Sequence, residues 1–150
     1  MKKFLWLVVL ISCVGCVTVK IPKYLQDQFP YKKKFYANFD DTLTATQQAL
    51  KEAGWRITET ANPSVFEQGP SATDASAKQI LLFTEVRQTP LFLSSRYMSL
   101  NIYVRQAADG TDVEIRYISF TPALFKNIQS YKNDVVVYKI FDKTSEILER

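Results

Sequence analysis

The chain has 150 residues, with 19 lysines and arginines, 15 aspartates and glutamates and no histidine. Its length suffices for one independently folding core, and the lack of histidine removes the commonest general base, metal ligand and proton switch. The two cysteines, Cys13 and Cys16, both lie near the N-terminus, so thiol chemistry and thiolate zinc sites are excluded from the rest of the chain. Composition therefore argues against an enzyme, a cofactor and a metal site.

Residues 1–16 predict an export signal. Lys2 and Lys3 form a basic start, and the apolar run over residues 4–11 is far shorter than the roughly 20 residues of a membrane-spanning helix. Small residues precede both Cys13 and Cys16, which resembles the signal of bacterial lipoproteins, where a cysteine is lipidated and becomes the mature N-terminus. The residues before Cys13 fit this pattern better, whereas the length of the signal favours Cys16, so both cysteines remain candidates.

The resemblance implies a palmitate-type lipid anchor that holds the protein on the cell envelope. Val14 and Val17 follow the two cysteines, in place of the aspartate that resembles an inner-membrane retention signal. The outer membrane, facing the periplasm, is therefore the expected location. An uncleaved apolar anchor and an ordinary secretory signal are the alternatives.

Residues 17–34 predict a basic tether between the anchor and the domain. The segment contains two prolines, shows no sustained apolar period, and has five lysines against one aspartate. Basic residues next to a membrane attract anionic lipid headgroups, although a solvated linker has the same composition. The rest of the chain is nearly balanced in charge, so the net charge of +4 does not indicate nucleic-acid binding.

A single domain is predicted over residues 35–150. Alternating apolar residues predict a first strand over residues 35–39, after which Asp40 and Asp41 would cap a helix that ends at Gly54. A second strand follows from Trp55, and residues 62–77 predict a long loop.

Alternation of apolar and polar side chains predicts further strands over residues 78–88 and 96–106. The sequence Ala108-Asp109-Gly110 is typical of a hairpin turn into a strand over residues 113–120. Asn133 or Asp134 would cap a last helix, whose apolar stripe is Val137, Ile140, Phe141, Thr144, Ile147 and Leu148.

This order of elements, β-α-β-β-β-β-α, predicts an α+β two-layer sandwich, with two helices on one face of a mainly antiparallel sheet. The arrangement resembles domains of the BamC kind from the outer-membrane barrel-assembly complex. Together with Cys13 and Cys16, the chain looks like a small envelope lipoprotein. The hypothesis is a non-enzymatic domain that binds another envelope protein. A carrier or sensor of a small apolar or lipid ligand is the alternative.

Two groups of side chains are candidate partner-binding residues. Tyr97, Tyr103, Arg105 and Arg116 should project from the sheet face opposite the helices. Such a platform suits single-stranded nucleic acid, but the export signal favours a protein or glycan, and ordinary cross-strand pairing explains the same residues. The loop Leu91-Phe92-Leu93, like Ala123-Leu124-Phe125, is typical of membrane or partner contact, or of a small satellite of the core.

Carboxylates are the remaining candidates for chemistry. Asp40 and Asp41 are adjacent at a helix start, where a cap and a favourable helix-dipole interaction explain them. Glu85, Asp112 and Glu114 alternate with arginines on strands, which favours cross-strand ion pairs. A hydrolase would require carboxylates that converge in a cleft with perturbed pKa values.

Overall fold

The computed structural model describes residues 21–25, 29–66, 77–92, 94–123 and 127–150. Within these residues the chain forms two helices and a seven-stranded antiparallel sheet. Both helices contribute side chains to one core that covers a single face of the sheet. The predicted α+β two-layer class is therefore confirmed.

The elements are β1 (Tyr31–Phe35), α1 (Phe39–Glu52), β2 (Ile57–Ala61), β3 (Gln79–Thr84), β4 (Arg87–Pro90), β5 (Ser95–Ala107), β6 (Gly110–Thr121), β7 (Ile128–Ser130) and α2 (Asp134–Leu148). A short 3-10 turn, Pro63–Val65, follows β2. The strands pair in the order β1-β6-β5-β3-β2, while β4 extends along β5 and β7 along β6.

Helix α1 begins two or three residues earlier than the sequence predicted. Its N-cap is Asn38, whose side-chain oxygen accepts the N–H of Asp41 at 2.8 Å. Asp40 and Asp41 lie inside the first turn, where their charge interacts favourably with the helix dipole. The predicted strand over residues 35–39 is wrong, because Phe39 already belongs to the helix. The predicted stop is confirmed, since Gly54 takes a left-handed φ of 79°.

Strand β1 occupies part of the predicted tether. Lys32 and Lys34 lie opposite Glu114 and Asp112 on β6, and Lys33, on the other face, donates to the Ser145 hydroxyl. Opposite charges across neighbouring strands stabilise a sheet, and they allow a lysine-rich segment to pair at its edge. Residues 31–34 therefore belong to the domain and not to a linker.

The strand predicted over residues 78–88 is interrupted. Strand β3 pairs with β5 up to Phe83 opposite Asn101, and β4 resumes with Arg87 opposite Met98. Between these two pairs, three residues (84–86) of the β3–β4 segment lie opposite two residues (99–100) of β5. The extra residue forms a β-bulge, which we place at Glu85 and Val86. Strand β7 was not predicted at all.

The predicted hairpin turn is confirmed. Ala108 and Asp109 connect β5 to β6, and Ala107 pairs with Gly110. Gly110 has a φ of 149°, and a Cβ at this position would lie 2.2 Å from the carbonyl oxygen of Phe35. Only glycine allows this close approach between the hairpin and the end of β1.

The main core lies between the helices and the sheet. Helix α2 buries Val137, Ile140, Phe141 and Thr144, four members of its predicted stripe. They meet side chains of β5 and β6 such as Leu100, Ile102, Val104, Val113 and Ile115. The alternation predicted along β5 thus faces this core.

We expect Phe141→Ala to lower the free energy of unfolding by about 3 to 5 kcal/mol, because the ring is buried against the Phe35 ring and the sheet. Chemical denaturation measures this loss. Lys139→Ala, on the exposed side of the same helix, is the matched control and should change stability by less than about 0.5 kcal/mol. Equal losses in the two variants would contradict the assignment of α2 to the core.

Candidate functional site

The sheet face opposite the helices carries the four predicted platform residues. Alternation along β5 and β6 places Tyr97, Tyr103, Arg105 and Arg116 on this face, as predicted. Their exposure was predicted incorrectly, because Tyr103 is buried and Arg116 is only 3% exposed. Tyr97 and Arg105 are half-buried, and Arg105 pairs with Asp112 at 3.4 Å. These four side chains do not form an exposed platform.

A segment of the predicted tether covers this face. We call residues 23–25 the strap. The Asn101 side chain binds it at two points: its oxygen accepts the Leu25 N–H at 2.7 Å, and its nitrogen donates to the Lys23 carbonyl at 3.1 Å. Leu25 is buried, and Lys23 forms an ion pair with Glu59 on β2. The strap is therefore part of the folded domain.

Arg116 links the strap to the sheet. Its Nη1 donates to the Leu25 carbonyl and to the Tyr24 hydroxyl, both at 2.9 Å. Its Nε donates to the Glu114 carboxylate, which also pairs with Lys32 on β1. A buried guanidinium remains charged and requires such partners, so Arg116 acts as a structural cation.

Aromatic and aliphatic contacts form a second layer of packing between the strap and the sheet face opposite the helices. The Tyr24 ring stacks on Phe66, and Phe66 contacts Phe83 edge-on, both with ring centroids 5.3 Å apart. Leu81 and Phe83 form a small core there with Tyr103, whose hydroxyl donates to Gln79. The sequence carried a signal for this layer, since β3 is apolar on both of its faces, which is typical of a strand covered on both sides.

The turn between β4 and β5 exposes apolar side chains. Phe92 is 98% exposed, and Leu91 is also exposed. The Leu91 N–H donates to the Ser94 carbonyl at 2.8 Å, which closes the turn around Phe92. Leu93 lies outside the described residues, as do Leu124 and Phe125. We call Leu91 and Phe92 the hairpin tip.

A second exposed surface was not predicted. We call Phe29, Tyr31, Lys132, Val135 and Tyr138 the aromatic patch. Phe29 is 61% exposed, Val135 80% and Tyr138 55%. The Lys132 Nζ lies 4.9 Å from the Phe29 ring centroid, and Tyr31 meets Tyr138 edge-on at 5.9 Å. A signal existed in the sequence, because Val135 and Tyr138 are apolar neighbours at helical spacing that lie off the buried stripe of α2.

Tyr31 holds this patch to the start of α2. Its hydroxyl donates to the Asp134 carboxylate at 2.6 Å and accepts the Asn133 N–H at 2.9 Å. Burial and the hydrogen bond to Asp134 raise the pKa of Tyr31 from 10.0 to about 12. The protonated hydroxyl binds both Asn133 and Asp134, and these two hydrogen bonds order the loop before α2.

Surface grooves among the described residues include two of similar volume. One, of about 340 Å³, lies at the β5–β6 turn and is lined by residues 36–39 and 106–110. Its carboxylate, Asp109, has a lowered pKa because Lys34 donates a hydrogen bond to it. The other, of about 360 Å³, is lined by residues 21–23, 58, 83–86 and 99, and its Glu85 pairs with Arg56. In each groove the carboxylate is already paired, and neither groove brings two of them together.

The described part of the chain contains no candidate metal site and no candidate membrane span. There, no group of three or more acidic, histidine or cysteine side chains converges to hold a metal ion. No helix within the same ranges is long and apolar enough to cross a membrane.

No protein-family model matches the chain. No curated protein matches it either.

The raised pKa of Tyr31 predicts a pH dependence of stability. The folded state holds the Tyr31 proton more tightly than the unfolded state, so the stabilisation is complete below pH 10 and is lost as pH rises toward about 12. Tyr31→Phe lacks this ionisation, and the stability advantage of the wild type over this variant should shrink across that range. Parallel denaturation midpoints for the two proteins between these pH values would contradict the assignment.

Proposed function

We propose that this protein is an envelope lipoprotein, anchored through Cys16 or Cys13, whose α+β domain binds another envelope protein without catalysing a reaction. It acts as an accessory or scaffold on the periplasmic side of the outer membrane, as its resemblance to BamC-like domains implies. The observation that carries the binding role is the aromatic patch, where Phe29, Val135 and Tyr138 are each exposed and Tyr31 contacts Tyr138 and Asp134 of α2.

The composition of the patch supports a protein partner. Exposed aromatic side chains contribute a large share of interface energy, and each offers apolar area with few torsions to immobilise. Lys132 adds a cation beside the Phe29 ring. Interfaces are enriched in this combination of aromatic and apolar side chains.

The backbone at Phe29 strengthens the argument. Its φ of 52° lies in the left-handed region, which is unfavourable for a bulky residue. Strained positions of this kind persist where the surrounding structure imposes them, and they are frequent at functional sites. Here the strained backbone accompanies an exposed ring next to Lys132, which suits a side chain displayed for contact.

A ligand carrier is the alternative function. The described side chains between the helices and the sheet, including Leu50, Leu82, Ile115 and Ile140, are fully buried and pack in one cluster. This packing favours protein binding over a ligand held in the interior. A carrier would instead use the surface groove beside Ile21, whose 360 Å³ is near the lower end of small-molecule sites.

Lipidation is tested by replacing both Cys13 and Cys16 with serine. We expect the double variant to lose incorporation of a labelled palmitate analogue and to move from the membrane to the soluble fraction. The two single variants then identify the acylated cysteine. A wild-type protein that lies in the membrane fraction but takes up no palmitate label would show a simple apolar anchor instead.

The binding role is tested by placing a photo-crosslinking amino acid at position 138 of the aromatic patch. The matched control carries the same amino acid at position 36, where Tyr36 is also aromatic and is 83% exposed. In cells, position 138 should crosslink to a discrete envelope protein and position 36 should not. Phe29→Ala should weaken this crosslink about tenfold, the effect of removing roughly 1.4 kcal/mol of binding energy. Its unfolding midpoint should stay within error of the wild type. Equal crosslinking from positions 138 and 36 would refute the patch.

A further inference from the structure

The strap determines where the N-terminal segment leaves the domain. Ile21 and Pro22 line the groove formed by Phe83, Glu85 and Val86, at the base of the β4–β5 hairpin. Asn101 and Arg116 fix the strap immediately beyond them. The path toward the proposed anchor therefore starts beside the hairpin that ends in Phe92.

Chain length then limits the distance between the domain and the membrane. If Cys16 is acylated, the chain takes five residue-to-residue steps from Ile21 to the anchor, which span at most about 17 Å. From Cys13 there are eight steps, which span about 27 Å. The four residues of β4 reach about 13 Å from the hairpin base to its tip. The tip thus lies within reach of the membrane that holds the anchor.

The chemistry of this end matches a lipid surface. Leu91 and Phe92 are exposed at the tip, with the exposed Arg96 and the half-buried Tyr97 next along β5. Residues 86–98, which form this hairpin, include two arginines, Arg87 and Arg96, and no acidic residue. Apolar side chains followed by tyrosine and arginine suit the boundary between acyl chains and anionic headgroups. At the opposite end of the sheet, by contrast, the β5–β6 turn and the start of α1 carry aspartates.

We infer that the hairpin tip, Leu91 and Phe92, inserts into the membrane that holds the lipid anchor, so that the domain stands on the bilayer by its β4–β5 end. This inference rests on the lipid anchor of the proposed function. The acyl chains already supply the affinity, so the tip sets orientation. The strands then rise from the bilayer, and the aromatic patch on the β1 side faces along the membrane toward a neighbouring protein.

The test uses the full lipidated protein in vesicles that contain phosphatidylglycerol with brominated acyl chains, which quench tryptophan. Phe92→Trp places the probe at the tip, and Tyr36→Trp is the exposed control at the far end of the sheet. The signal of Trp55 is subtracted with the wild type. We expect several-fold stronger quenching at position 92 than at position 36. Bromines near the headgroup end of the chains should quench most, because insertion is shallow, about 5 to 10 Å.

Equal quenching at positions 92 and 36, in protein shown to carry the acyl label, would overturn the inference and leave the proposed anchor standing. If the wild-type protein carried no acyl label, the proposed anchor would be refuted, and the inference would be refuted with it. A photo-crosslinker at position 92 that captures a protein in cells and gives no lipid adduct would also overturn it, since the tip would then be a protein contact.

Discussion

The burial of Arg116 is the constraint on which the position of the strap depends. A guanidinium that is 3% exposed cannot lose its proton, so the chain must surround it with acceptors. Glu114, on the same strand, supplies a carboxylate, and the strap supplies the Leu25 carbonyl and the Tyr24 hydroxyl. The sheet face opposite the helices is therefore closed by the segment that the sequence suggests is a free tether.

Because the strap covers that face, the candidate binding surfaces lie elsewhere. Tyr103 and Arg116, which the sequence predicts as part of an exposed platform, are buried and have structural roles. The exposed apolar side chains lie on the hairpin tip and the aromatic patch. The strap also places the start of the path to the proposed anchor at the base of the β4–β5 hairpin. Under this proposal the remaining tether is short, so the proposed membrane contact of the tip and the proposed partner contact of the patch belong to one geometry of the domain.

Sequence periodicity predicted the elements whose signal is local. The stripe of α2 follows from the 3.6-residue period, and the β5–β6 hairpin follows from clean alternation around Ala108-Asp109-Gly110. The class of fold could be predicted for the same reason. These elements need only their own residues to define which face is buried.

The elements that the sequence did not predict depend on residues distant along the chain. Strand β1 is lysine-rich, and its pairing is stabilised by Glu114 and Asp112, which lie opposite it although they are about 80 residues away in sequence. The strap requires Asn101 and Arg116, which nothing in its own composition indicates. Exposure of Phe29 likewise depends on distant residues, whereas Tyr138 lies off the apolar stripe of α2, and its helical spacing from Val135 was a local signal of exposure. Among these elements, only β3 carried a sequence signal that both faces of the sheet are covered, because its side chains are apolar on both faces.

Amide hydrogen exchange at Leu25, measured in the full-length protein, tests the central claim most directly. The Leu25 N–H donates to Asn101, and the Leu100 N–H, which donates to the Thr84 hydroxyl, is a reference within the sheet. We expect both amides to be protected in the wild type, and Asn101→Ala to release Leu25 while Leu100 stays protected. Exchange of Leu25 at the rate of an unstructured peptide in the wild type, with Leu100 protected, would contradict the strap and everything inferred from it.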